Sequence, residues 1–350
     1  MTLRAHARAI FEAGVQAADA AEAVESALGI EGESLVVGPA EAEVCRVDLA
    51  ACRRIVLVGA GKASAPMARA VEALLGDRVD EGLIVVKYDH AEPLAKTRLI
   101  EAGHPVPDAA GQQAAGAITA LADGCGQDDL IICCLSGGGS ALLPAPASGI
   151  TLTDKQDLTE RLLECGATIV EINTLRKHCS AIKGGQLARR AAPARVINLM
   201  LSDVVGGRAD TIASGPLAPD ETTFADCQAI LERHRLSERI PPAVRIHLKK
   251  GLDGDVPETP TATDPCFARV AHCVVAENRT ALEAAAQHAA GALADGTTVA
   301  RGAEADRDAF GHLDTNDAYP FFEALEDLVI TEPTRTNVMD LVCLLVGPPP

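Results

Sequence analysis

LIICCLSGGGSALLPAP, residues 130–146, decides the fold. Leu130–Leu135 is an uninterrupted apolar run of strand length that opens directly into three consecutive glycines, which reads as a buried strand ending in a loop. Gly137, Gly138 and Gly139 free the backbone to adopt positive φ, so successive N–H groups can converge on an anion. Ser136 and Ser140 are expected to add hydroxyl donors. Two readings stay open at this point: a phosphate cradle, and a plain glycine turn at the end of a strand.

The same grammar recurs on both sides. Arg53–Val58 (RRIVLV) ends in GAGKAS, after which Ala63–Leu75 has helical periodicity, a strand, turn and helix unit. Glu81–Lys87 and Arg195–Leu201 repeat the strand pattern, and helices are predicted over Ala109–Leu121 and Leu158–Val170. The alternation predicts an α/β fold with a Rossmann-like parallel sheet. A further glycine loop, SDVVGGRADTIASGP, follows the strand at Arg195. Ligand loops of such sheets cluster at the carboxyl ends of strands, so these three loops are expected to share one crevice.

KKGLDGDVPETPTATDP, Lys249–Pro265, breaks the periodic pattern and reads as a linker. It divides an N-terminal α/β domain, residues 1–250, from a smaller α/β domain, residues 266–346. The latter opens with a strand at Val270–Ala276 and a helix at Asn278–Ala290. Leu341–Val346 reads as a terminal strand.

Composition narrows the function classes. The 350 residues are 48% hydrophobic with no Trp, two Tyr and six Phe, so the core is built from aliphatic side chains, as suits helices on a buried parallel sheet. A net charge of -18 repels nucleic acid and anionic membranes, and few aromatics are present to stack bases. An anionic substrate must therefore meet a local concentration of cations. Eleven Cys without metal-ligand spacing or a secretory signal point to reduced thiols in the cytoplasm. No apolar stretch reaches transmembrane length.

GAGKAS places Lys62 between a strand and a helix, where the helix dipole and free N–H groups favour an anion. It is not a P-loop, because Val56 and Ala63 stand where that pattern needs glycine and a hydroxyl. As GxGxxG it has Gly59 and Gly61, with Ser64 in the third place. INTLRKHCSAIKGGQLA, Ile172–Ala188, gathers Arg176, Lys177 and Lys183, either an anion-binding cluster or a solvated helix face. Asp203 suits a general base or a metal-binding carboxylate, and equally an N-cap. His104, in EAGHPVPD, reads as loop structure.

GAGKAS, EAGHPVPD, LSGGGSALL, INTLRKHCSAIKGG and SDVV with IASGP, in this order and spacing, resemble the class II glycerate kinase family, whose C-terminal part is the MOFRL domain. The resemblance runs to about Ala290 and resumes in DAYPFFEALEDLVIT and TNVMDLVCLLV. It implies ATP-dependent phosphorylation of D-glycerate with Mg²⁺, to 2-phosphoglycerate or 3-phosphoglycerate. It also implies Lys62 as the phosphate-facing lysine and Ser136–Ser140 as the ligand loop. Arg176, Lys177 and Lys183 would line the cleft, Asp203 would be the acidic site residue, and Asn337 would complete the ligand contacts. A small-molecule substrate, a nucleotide and a homodimer are the expected partners, with no nucleic acid and no membrane.

The chain also departs from the family. The GGRNQE-type motif and the GTDGxDGPTD loop are absent after Ala290, so the resemblance implies an internal deletion and a truncated, destabilised second domain. Gly207 and Arg208 replace a pair of aspartates, which leaves the metal ligands unassigned. Glu332 and Arg335 replace glycines before Asn337. Two alternatives follow: an NAD(P)H-dependent hydroxypyruvate reductase, from the partial GxGxxG, and a non-catalytic ligand-binding remnant, from the missing segment.

Overall fold

The computed structural model describes residues 3–39, 42–202 and 208–288. They fall into two compact units, the larger spanning Ala18–Asn278. The smaller contains helix α1 (Leu3–Ala17) and most of the last described helix.

The larger unit begins with helix α2 (Ala20–Ala27), whose Asp19 carboxylate accepts the N–H groups of Ala21 and Glu22. A three-stranded antiparallel sheet follows: β1 (Leu28–Glu31), β2 (Ser34–Val37) and β3 (Cys45–Asp48). The main sheet then takes β4 (Arg54–Ala60), β5 (Glu81–Lys87), β6 (Arg98–Ala102), β7 (Asp129–Leu135), β8 (Arg195–Ser202) and β9 (Val270–Glu277). All its strands are parallel, in the order β6-β5-β4-β7-β8-β9. Counted from β4, this is the 3-2-1-4-5-6 order of doubly wound sheets, with a topological switch point between β4 and β7.

The apolar runs exist because both faces of this sheet are covered. Helix α3 (Ser64–Leu75) packs against β4, β5 and β7, with α2 beside it. Helix α4 (Ala109–Asp123) packs against β5 and β6. The alternate residues Val56, Val58, Leu83, Val85, Ile131 and Cys133 form one core with Ala114, Ala115 and Ile118 of α4. Short helix α5 (Gly139–Leu142) follows β7 directly.

A second core belongs to helices inserted beside the sheet: α6 (Leu152–Glu164), α7 (Ile169–His178), α9 (Phe224–Arg233) and α10 (Pro242–Leu252), with α8 (Gln186–Ala191) lying in sequence between α7 and β8. Leu158, Leu162, Leu175, Phe224, Leu231 and Val244 pack together there. The single helix expected over Leu158–Val170 is therefore two helices. Gly166 takes φ +74, and Thr168 starts α7 with a capping box to Glu171. Periodicity ran through the break because Leu163, Ile169 and Val170 are apolar yet exposed.

The linker also differs from expectation. Segment 253–269 separates α10 from β9, but β9 pairs with β8 and is the sixth strand of the same sheet. The Asp220 N–H donates to Pro260 O at 3.0 Å, stitching the segment down. Helix α11 (Asn278–His288) follows β9, and the expectations for 289–350, Asn337 and the truncated domain included, lie outside the described residues. No described helix is long and apolar enough to cross a membrane.

The α7 capping box carries a pH prediction. Glu171 accepts Thr168 N at 2.8 Å, Arg233 at 2.7 Å and His234 at 3.2 Å. Led by the Thr168 N–H, and against the opposing effect of burial, these bonds lower its pKa from 4.5 to about 2. Because the folded value is depressed, the stabilisation is complete above the unfolded value and disappears as pH falls from about 4.5 towards 2. Glu171→Gln should lower the urea unfolding free energy at pH 7 by on the order of 2 kcal/mol. The gap between variant and wild type should close as the pH is lowered to 3 and below.

Candidate active site

Two turns meet at the switch point. The first leaves β4 through Gly61 and Lys62 into α3, and the second leaves β7 through Ser136–Gly138 into α5. Lys62 N donates to Gly137 O at 2.9 Å, and Ser136 N donates to Ala60 O at 3.2 Å. The approach requires missing side chains. A Cβ on Gly59 would collide with Cys134 O, and one on Gly61, held at φ +148, would collide with Ser136 Oγ.

The serine hydroxyls fasten this junction instead of facing a ligand. Ser136 is fully buried, and its Oγ accepts Ala63 N at 3.0 Å. Ser64 Oγ donates to Cys134 O at 2.9 Å, so its single hydrogen is spent and Ser136 must donate across the 3.3 Å contact to Ser64. Ser140 behaves alike. Ser214 Oγ donates to Asn173 Oδ1 at 3.1 Å, so Ser140 is the donor in its 2.9 Å contact with Ser214. The expectation that Ser136 and Ser140 supply hydroxyl donors to an anion is thereby corrected. The donors left are backbone groups: among the described residues nothing accepts the N–H of Gly137 or Gly138.

Gly138 (φ +87) lies against Lys62 and His104. A Cβ placed on it would come within 3.4 Å of Lys62 Cγ and 3.1 Å of His104 Nε2. His104, read as loop structure in the sequence, therefore belongs to the site. Its signals were its position, two residues beyond the β6 carboxyl end and next to Gly103, and its place in EAGHPVPD.

The basic cluster divides on folding. Lys177 is buried, with its Nζ 3.1 Å from Asp220 Oδ1 and 4.0 Å from Asp210 Oδ2. Asp220 also accepts Thr222 and Thr259, so this lysine ties α7 to the chain around it. Lys183 is 2% exposed and donates to Leu143 O at 3.0 Å, the residue that ends α5. Burial, with Lys155 and Arg176 nearby, holds its pKa well below the usual lysine range. Neither lysine lines an open cleft, a correction whose cause is the demand of buried carbonyl and carboxylate groups for partners. Arg176 is half-buried, its pKa is lowered by burial alone, and no carboxylate pairs with it among the described residues.

Backbone docking joins the turn before α8 to the loop after β8. Gly184 N donates to Ser214 O at 3.1 Å and Gly185 N to Gly215 O at 2.8 Å. All four residues have positive φ, and Ala213 joins them at φ +52. Non-glycine residues held there mark a strained segment beside the site. Asp203 lies outside the described residues, and Arg208 is bonded to Asp210 at 2.8 Å. No group of three or more His, Cys, Asp and Glu side chains suited to a metal ion occurs among the described residues. The Gly137 and Gly138 amides beside Lys62 are donors of the kind that bind anions.

Comparison with known proteins places the chain in a family. A family described as a domain of unknown function (DUF4147) matches residues 6–249, and the MOFRL family matches residues 284–340. The chain belongs to the class II glycerate kinase family. A glycerate 2-kinase from Pyrococcus horikoshii is 38% identical over 275 residues, covering 79% of this chain and 60% of its own. An Agrobacterium vitis relative with a provisional hydroxypyruvate reductase name is 48% identical over 209 residues, covering 60% of this chain and 46% of its own. The crystal structure of a Thermotoga maritima glycerate kinase superposes with a TM-score of 0.67 at 33% identity, covering 82% of this chain and 62% of that one. The chain thus spans about half to three fifths of the length of these family members.

The junction gives a stability prediction. Ser136→Ala leaves the Ala63 N–H buried without its acceptor and should cost about 1–3 kcal/mol in thermal unfolding. Ser148→Ala, on an exposed loop, should stay within about 0.5 kcal/mol of wild type. Equal stability of the two variants would contradict the fastening role.

Proposed function

We propose that the chain is an ATP-dependent kinase that phosphorylates a hydroxyl of D-glycerate to give 2-phosphoglycerate or 3-phosphoglycerate. The observation that carries this reading is the convergence of Lys62 with the unpartnered amides of Gly137 and Gly138 at the switch point. The glycerate kinase names of family members support the substrate. Phosphoryl transfer asks a protein mainly for positioning and charge neutralisation, which a lysine and converging amides supply.

In this reading the polyphosphate lies across the glycine turn, with Lys62 neutralising charge that builds up on its oxygens. His104 is a neighbouring polar wall, and Arg176 supplies a cation for the glycerate carboxylate. The substrate hydroxyl oxygen bonds to the γ-phosphorus as the bond to the β,γ-bridging oxygen breaks, releasing ADP. The hydroxyl proton passes to a base, the role proposed for Asp203, whose alternative is holding Mg²⁺. Asn337 is proposed as a further ligand contact. Mg²⁺, when bound, would neutralise phosphate charge, and no step above is routed through it. The residues proposed to bind substrate are thus Lys62, Gly137, Gly138 and Arg176, with Ser136, Gly139 and Ser140 shaping the loop.

One observation favours a second reading. The 3-2-1-4-5-6 strand order, with Gly59 at the end of its first strand and Gly61 just after it, is shared with dinucleotide-binding sheets, as a hydroxypyruvate reductase would need. Coupled measurement of ADP release separates the two. D-glycerate should elicit turnover, and Lys62→Ala should lower kcat/KM by about 10²–10³. Loss of NADH absorbance with hydroxypyruvate, or turnover indifferent to Lys62→Ala, would overturn the kinase proposal. Nucleotide binding without any turnover would mark a ligand-binding remnant.

A further inference from the structure

Away from the switch point, the larger unit contains a concavity of about 830 Å³, a volume within the range of small-molecule sites. It is bounded by α8, α10, the end of α7 and segment 255–259, and neither Lys62 nor the glycine turn lines it.

Its charge opposes that of the chain. Arg189, Arg190 and Lys250 line it against one carboxylate, Asp255, in a protein of net charge -18. Arg189 is held by Asp264 at 3.0 Å and Arg190 by Asp123 at 2.9 Å. Those pairs fix the two guanidinium groups while offsetting much of their charge. Lys250 is exposed and makes no ion pair among the described residues, so the uncompensated charge on this wall is its own.

Phe224, Ala243, Ile246, Val256 and Pro257 add apolar lining, and Ile246 is 56% exposed on α10, one turn before Lys250 on the same helix face. The floor is shaped by stacked rings. Phe224 lies edge-on to His178 and to His247, with centroids 4.8 Å and 5.8 Å away. His247 Nε2 donates to His178 O at 2.8 Å, which fixes the tautomer and leaves Nδ1 an acceptor. Burial lowers its pKa, which keeps that lone pair available at neutral pH.

We propose that this cleft binds a small amphipathic anion. The apolar body rests on Ile246, Val256 and Pro257, the carboxylate, sulfonate or phosphate group meets Lys250, and a hydroxyl or amine donates to His247 Nδ1. The site is independent of the kinase reading and stands or falls without it.

The probe is 8-anilinonaphthalene-1-sulfonate, which combines an aromatic body, one sulfonate and one N–H, titrated into the full chain by fluorescence and by thermal unfolding. Saturable one-to-one binding that raises Tm is expected, since a ligand of the native state stabilises it. Ile246→Glu and Lys250→Glu change exposed side chains, so folding should survive, and each should weaken the dye by about tenfold or more. Lys62→Ala should leave dye affinity unchanged. Unsaturable binding, a lowered Tm, affinity equal to wild type in both cleft variants, or loss of binding in Lys62→Ala would each overturn the proposal.

Discussion

The contact between the turn after β4 and the turn after β7 is the constraint on which the rest of the structure depends. Two parallel strands at a switch point normally diverge into helices on opposite faces, leaving a crevice between them. Here the absence of Cβ atoms on Gly59 and Gly61 lets the turns touch, and the Ser136 hydroxyl is buried between them with both its donor and acceptor capacity in use. A fully satisfied buried hydroxyl fixes geometry as well as contributing stability. It holds Lys62 and the amides of Gly137 and Gly138 at one place.

The helices around α7 extend that order outward. The chain Ser140 to Ser214 to Asn173 connects the glycine turn to α7, and the Lys177–Asp220 pair anchors α7 to the segment that leads on to α9. Between them lie Ala213 and Ser214 in left-handed conformations costing on the order of 1–2 kcal/mol each. The docking of Gly184 and Gly185 on Ser214 and Gly215 is what retains them. The two motifs KGG and ASGP are therefore halves of one interface.

Much of this architecture is legible in the sequence because a parallel sheet buried on both faces needs continuous apolar runs, and four of its six strands announce themselves that way. Val270–Ala276 is also legible as a strand, but proline and threonine in the preceding linker disguise its membership of the same sheet. β6 (RLIEA) is an edge strand with only partial burial and had no such run. The antiparallel β1–β3 sheet was too short to stand out. At the site, Lys62 and the glycines could be found because backbone conformation is written in glycine. The roles of the hydroxyls and lysines could not, since they depend on which buried carbonyls lack partners. Leu143 O takes Lys183, and Asp220 takes Lys177. Arg176 pairs with no carboxylate among the described residues.

The central claim is that the two turns form a single anion cradle whose donors are backbone amides. Backbone amide NMR during titration with a non-hydrolysable ATP analogue tests it most directly. The account predicts that the Gly137 and Gly138 resonances, with Lys62 beside them, show the largest shifts and saturate together. Saturable binding that leaves those amides unmoved, while residues elsewhere respond, would contradict it.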